Sequence, residues 1–75
     1  MKPTIGRIVI YTQAAAEAPV NATREHPAMI TRVHNDDYVN LMVFFDGGRV
    51  APCTSVYRAG VGLEGSVSWD WPKRD

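Results

Sequence analysis

The chain has 75 residues, about half of a typical ~150-residue domain, which leaves room for one small domain, 1–75, and none for separate cofactor and substrate domains. Hydrophobic residues make up 45% and charged residues 21%, a globular composition; eight Lys and Arg balance eight Asp and Glu, so no long-range positive field draws the chain to nucleic acid or anionic membrane. A single cysteine, Cys53, excludes an internal disulfide framework and suits a reducing cytosol, and no stretch reaches the ~18 apolar residues of a membrane span.

Taken in chain order, Gly6 to Gln13 (GRIVIYTQ) is β-branched and aromatic, with Ile8 and Ile10 on one side and Val9 and Tyr11 on the other. That pattern predicts a first strand buried on much of both faces. Ala14 to Pro27 carries helix-friendly letters, but Pro19 and Pro27 bracket it and no 3.6-residue period is sustained, so a long loop is expected, with at most one helical turn. Pro27 to His34 and Tyr38 to Phe45 flank Asn35-Asp36-Asp37, whose short polar side chains can hydrogen-bond their own backbone; this reads as a β-hairpin. In its second arm Val39, Leu41, Val43 and Phe45 should face the core and Asn40 should point outward.

Asp46-Gly47-Gly48 offers positive-φ positions for a reversal, and Arg49 to Tyr57 follows as a fourth strand. Pro52 cannot donate to a ladder and places that strand at an edge or a bulge. Arg58 to Gly65 holds three glycines and is a flexible connection; Ser66 to Pro72, with Val67, Trp69 and Trp71 alternating with polar residues, forms the last strand before a frayed tail, 73–75. The expectation is all-β: a small five-stranded antiparallel barrel, SH3-like, with a long loop after the first strand and closure removing the exposed edges. An OB-fold would want a helix between its third and fourth strands, where only Asp46-Gly47-Gly48 stands.

Residues able to carry chemistry are few. His26 and His34 have no local metal-ligand spacing, the aspartates Asp36, Asp37 and Asp46 suit turns, and Ser55 with His34 and Asp46 is a chance combination of common residues. No metal, no cofactor and no catalytic residue is assigned, and Cys53 reads as a buried inert thiol. The rings are more informative, because a barrel this small cannot bury Tyr11, Tyr38, Phe44, Tyr57, Trp69 and Trp71 together. Some of them must meet a partner or the solvent, with Arg7, Arg32, Arg49 and Arg58 able to supply forked donors to phosphate or carboxylate; the alternative is that two or three rings complete the core and the rest sit in a homo-oligomer contact. Zero net charge favours a host protein or a small nucleotide ligand over a long nucleic acid, and modest burial makes self-association into a homo-oligomer a natural supplement.

Pro27-Ala28-Met29-Ile30-Thr31-Arg32-Val33-His34, Val39-Asn40-Leu41, Val43-Phe44, Asp46-Gly47-Gly48 and the closing Trp69-x-Trp71-Pro72, with the opening Gly6-Arg7-Ile8-Val9-x-Tyr11, resemble a group of small proteins encoded by tailed bacteriophages and prophages. Phe45 stands where similar proteins are expected to carry a proline. The resemblance implies a non-enzymatic accessory protein of the infected bacterial cytoplasm that acts on a host factor by stoichiometric contact. It leaves two alternatives: an anti-defence sponge for a signalling nucleotide, and a minor virion component.

Overall fold

The computed structural model describes residues 2–14, 24–45, 47–62 and 65–72, and contains no helix among them. Strands β1 (Ile8–Thr12), β2 (Glu25–Asn35), β3 (Tyr38–Phe44), β4 (Val50–Tyr57) and β5 (Ser68–Asp70) pair antiparallel in one sheet of order β4-β3-β2-β1-β5. The sheet curls into a half-barrel with the strand order of a small SH3-like barrel. The expected loop with a helical turn falls largely on residues 15–23, and these, with Asp46 and the tail 73–75, lie outside the described residues.

Side-chain alternation decides which face is the core. Val9 and Tyr11 of β1, Ala28 and Ile30 of β2, Val39, Leu41 and Val43 of β3, Val56 of β4 and Trp69 of β5 are all buried. Phe45 and Val67 pack against them. The prediction that β1 is covered on both faces is corrected: Val9 is fully buried, but Ile8 is 45% exposed and Ile10 half-buried. The reason is that the curled sheet wraps one core on its inner side and, among the described residues, has no second layer outside.

Two prolines sit where the ladder tolerates them. Pro52 lies on β4, an edge strand whose ladder partner among the described residues is β3, as its missing donor predicts. Pro27 falls inside β2, which starts two residues earlier than the sequence suggests. Ile30 N donates to Arg7 O, so alternation turns the nitrogens of Ala28 and His26 toward β1 and that of Pro27 toward β3. The register with β3 begins only at Ala28, so no ladder bond is lost.

The turns obey their sequence chemistry. Asn35 Oδ1 accepts the Asp37 N–H at 2.9 Å, closing the β2–β3 turn as an Asx-turn, and Gly47 and Gly48 both take φ near +90° between β3 and β4. Across the connection between β1 and β2, Gln13 N donates to Arg24 O at 2.8 Å while Arg24 Nη2 donates to Gln13 O at 3.0 Å, pinning its two ends together.

The ends of the sheet meet without forming a full ladder. A single parallel bridge joins Arg58 to Trp69, and Ala59 N donates to Trp69 O at 2.8 Å. The carbonyl of Asp37, in the β2–β3 turn, accepts both Arg58 N at 2.7 Å and Trp69 Nε1 at 3.1 Å. Closure is therefore partial, and the expectation of a cylinder without edges is corrected to an open barrel fastened at one end.

Trp69 and Trp71, which alternation with polar residues places on one side of the last strand, are separated by this arrangement. Trp69 is fully buried, whereas Trp71 is half-buried and meets it edge-on at 5.3 Å. Trp69→Ala should cost about 3–5 kcal/mol in urea unfolding, and Trp71→Ala less than about 2 kcal/mol. Equal losses for the two would contradict the packing.

Candidate functional site

The outward face of the sheet holds the exposed chemistry. At its end nearest the β2–β3 turn, Tyr38 and Tyr57 are cross-strand partners whose rings lie 4.3 Å apart at 30°. His34 extends the series, its ring 4.9 Å from Tyr38. The three form a ladder of tilted rings, with His34 and Tyr57 exposed and Tyr38 half-covered between them. Ring pairs at this spacing contribute on the order of 0.5–1.5 kcal/mol, so the surface is assembled before anything binds.

Asn40 organises this end. Its Oδ1 accepts Nε2–H of His34 at 3.0 Å and the backbone N–H of Ser55 at 2.9 Å. Ser55 has φ of +61°, the left-handed region that a residue with a Cβ adopts at a cost of roughly 1–2 kcal/mol. It sits where the β3–β4 register slips between Val39 and Leu41, so the extra residue forms a bulge that Asn40 caps. The sequence signalled Asn40, a polar residue alternating with apolar ones. It held no sign of the Ser55 bulge, and the fold brings His34 and Ser55 to one amide although they are 21 positions apart.

Beside the ladder, Arg58 Nε lies 2.9 Å from Asp37 Oδ1, off the N–H axis and thus an ion pair without an aligned hydrogen bond. Both side chains are more than a third exposed, so water screens the pair and its contribution is small. Arg32 is exposed on β2, cross-strand from Asn40.

The remaining predicted residues are dispersed. Tyr11 and Trp69 are core residues, which corrects their assignment as contact groups: each occupies an inward position of its strand, and the two are a cross-strand pair. Phe44 is exposed on the outward face opposite Val50. Arg49 lies over the Phe45 ring at 4.7 Å, and the guanidinium of Arg7 lies 5.4 Å from the Trp71 ring. Cys53, expected to be buried, is half-buried because it lies on an edge strand.

Sequence reasoning also missed His26, which is 5% exposed, carries its Nε2 3.0 Å from Gln13 Oε1 and meets the Phe45 ring at 4.7 Å. It is a satisfied core histidine. Another feature is a groove of about 400 Å³ beside β1 and β5, walled by Ile10, Trp71 and Pro72 and flanked by the carboxylates of Glu25 and Asp70. Among the described residues no three His, Cys, Asp or Glu side chains converge on a metal-sized site. Among the same residues, no helix is long and apolar enough to cross a membrane.

Comparison with family models, with curated proteins and with solved structures gave no match to the chain.

Because the bulge is both capped and strained, its two residues should respond in opposite directions. Asn40→Ala should destabilise the fold by about 1 kcal/mol, and Ser55→Gly, which relieves the positive φ, should stabilise it by about 0.5–1 kcal/mol. Chemical denaturation of both variants checks the signs; a destabilising Ser55→Gly would show that the bulge is not strained.

Proposed function

We propose that this protein is a non-enzymatic binding protein, encoded by a phage or prophage, that engages a host protein in the bacterial cytoplasm by stoichiometric contact. The observation that supports the reading most is the exposed ring ladder of His34, Tyr38 and Tyr57. Rigid aromatic rings supply a large contact area with little side-chain entropy to lose, which is why such groups dominate the energetics of protein interfaces. A half-barrel that buries Trp69 and the aliphatic residues of its inward face, yet leaves three preassembled rings at one end, is organised for contact. The origin in a phage rests on the sequence motifs, Trp69-x-Trp71-Pro72 foremost.

A protein partner stands ahead of a signalling nucleotide because of charge. The groove next to the partly exposed Trp71 is flanked by Glu25 and Asp70, two carboxylates against the single guanidinium of Arg7 over the Trp71 ring, and that balance opposes the phosphates of any nucleotide stacked there. Arg58, next in the chain to Tyr57, is already opposed by Asp37.

The test is capture from host extract with the wild-type chain and with Tyr38→Ala and Tyr57→Ala, followed by calorimetry with the captured protein. The expected outcome is a partner held at a fixed stoichiometry and weakened at least tenfold by either variant, the size of loss that interface anchors produce. Retention of no partner, or retention indifferent to both rings, overturns the reading.

A further inference from the structure

We infer that the middle of the outward sheet face is a homodimer interface in which two copies stack face to face, antiparallel about a two-fold axis that runs across the strands. This goes beyond the host-binding reading and uses a different part of the surface.

Strand register gathers the apolar residues into rows. Ile8 pairs with Met29, Met29 with Met42, and Met42 with Pro52, so one apolar row crosses four strands on the outward side. A second row lies one step along: Ile10 pairs with Pro27 and Phe44 with Val50, the two halves meeting just beyond the Ala28–Val43 pair. Met29 and Phe44 are each 37% exposed, Ile8 45% and Val50 51%. Outward positions of a sheet washed by water on that side normally alternate to polar residues, so two adjoining apolar rows call for a cover.

The charges at the ends of the band identify what covers it. Along the outward side of β2 the residues read Glu25, Pro27, Met29 and then, after the slip between Ile30 and Arg32, Arg32. The strand thus presents acid, apolar, apolar, base. A two-fold axis across the strands between the Pro27 and Met29 rows lays β2 over the partner's β2 in reverse, which sets Glu25 against the partner's Arg32 and repeats the pairing at the other end. An isologous interface requires a self-complementary patch of this kind, and a surface that is apolar in the centre and opposite in sign at its two ends meets that requirement with its own copy. Because the outward side of the half-barrel is convex, the two copies approach most closely at β2 and β3, the middle of the band.

Size sets the strength. Four strands at about 4.8 Å and a run of roughly 20 Å from Glu25 to Arg32 bound the footprint at about 400 Å², which the curl of the half-barrel reduces. A standard stable interface covers about 800 Å² on each partner, so the dimer is a weak one. The ring ladder lies beyond Arg32, at the rim, and stays available.

Sedimentation velocity of the purified chain across the micromolar to low-millimolar range tests the proposal without any host factor, so its failure leaves the host-binding reading standing. The expected result is a monomer–dimer equilibrium. Arg32→Glu and Glu25→Arg, which set like charges against each other at both ends, each weaken it at least tenfold, and the double variant E25R/R32E restores it to within about threefold. Met29→Asp, in the centre of the band, abolishes it. Circular dichroism identifies any variant that does not fold; Arg32→Glu, on an exposed side chain, and Met29→Asp are then sufficient between them. A chain that stays monomeric throughout, or a dimer indifferent to Arg32→Glu and Met29→Asp, overturns the proposal.

Discussion

The carbonyl of Asp37 fastens this fold. A five-stranded sheet whose outer strands are β4 and a three-residue β5 has little ladder with which to hold its ends together. The structure solves this with one acceptor in the β2–β3 turn that takes the backbone N–H of Arg58 and the indole N–H of Trp69. A carbonyl has two lone pairs, and both are used to join the end of β4 and the side chain of β5 to a turn in the middle of the sheet. Burial of Trp69 depends on this contact as much as the contact depends on burial: an indole N–H enclosed without a partner would cost about 1–3 kcal/mol. The Asx-turn of Asn35 fixes the turn that presents the carbonyl, and Ala59 N on Trp69 O holds β5 from its other side.

This closure also determines how the surface is distributed. With the core on the inner side, the outward residues of β1 to β4 meet no second layer among the described residues, and the aromatic pair Tyr38–Tyr57 is brought together by the same strand ends that Asp37 fastens. The surface thus divides along the strands into a ring ladder near the turn, an apolar band in the middle and a groove flanked by acids at the far end. A core fastened by few contacts in a chain of 75 residues buries a limited share of its surface, and covering the apolar band would add to the stability of each copy.

Much of the architecture was legible in the residues. Alternation in Tyr38 to Phe45 named the inward residues of β3, Pro52 placed β4 at an edge, and Asn35-Asp36-Asp37 and Gly47-Gly48 marked their turns, because each of these signals is local. The failures were non-local. Nothing in GRIVIYTQ tells whether a second layer covers Ile8 and Ile10, and the position of Pro27 is acceptable only because β3 ends opposite it. Tyr11 and Trp69 looked like contact aromatics for the same reason: the sequence shows that the rings cannot all be buried, but only the pairing of β1 with β5 shows which ones are. Of the candidate site, Tyr38 and Tyr57 were legible as rings and Asn40 as an outward polar residue, whereas their assembly with His34 depends on the slip in the β2–β3 register between Val33 and Asn35, which makes His34 an extra residue on β2, a backbone event with no signature in residue type.

The fastening of the half-barrel is tested most directly by observing the two indole N–H protons in hydrogen exchange by NMR. Buried and bonded to Asp37 O, the Trp69 Nε1 proton should exchange only with global unfolding and show a cross-relaxation contact to the Arg58 amide, while the half-buried Trp71 serves as an internal reference that exchanges far sooner. Equal, rapid exchange of both protons, with no contact between Trp69 and Arg58, would contradict the account.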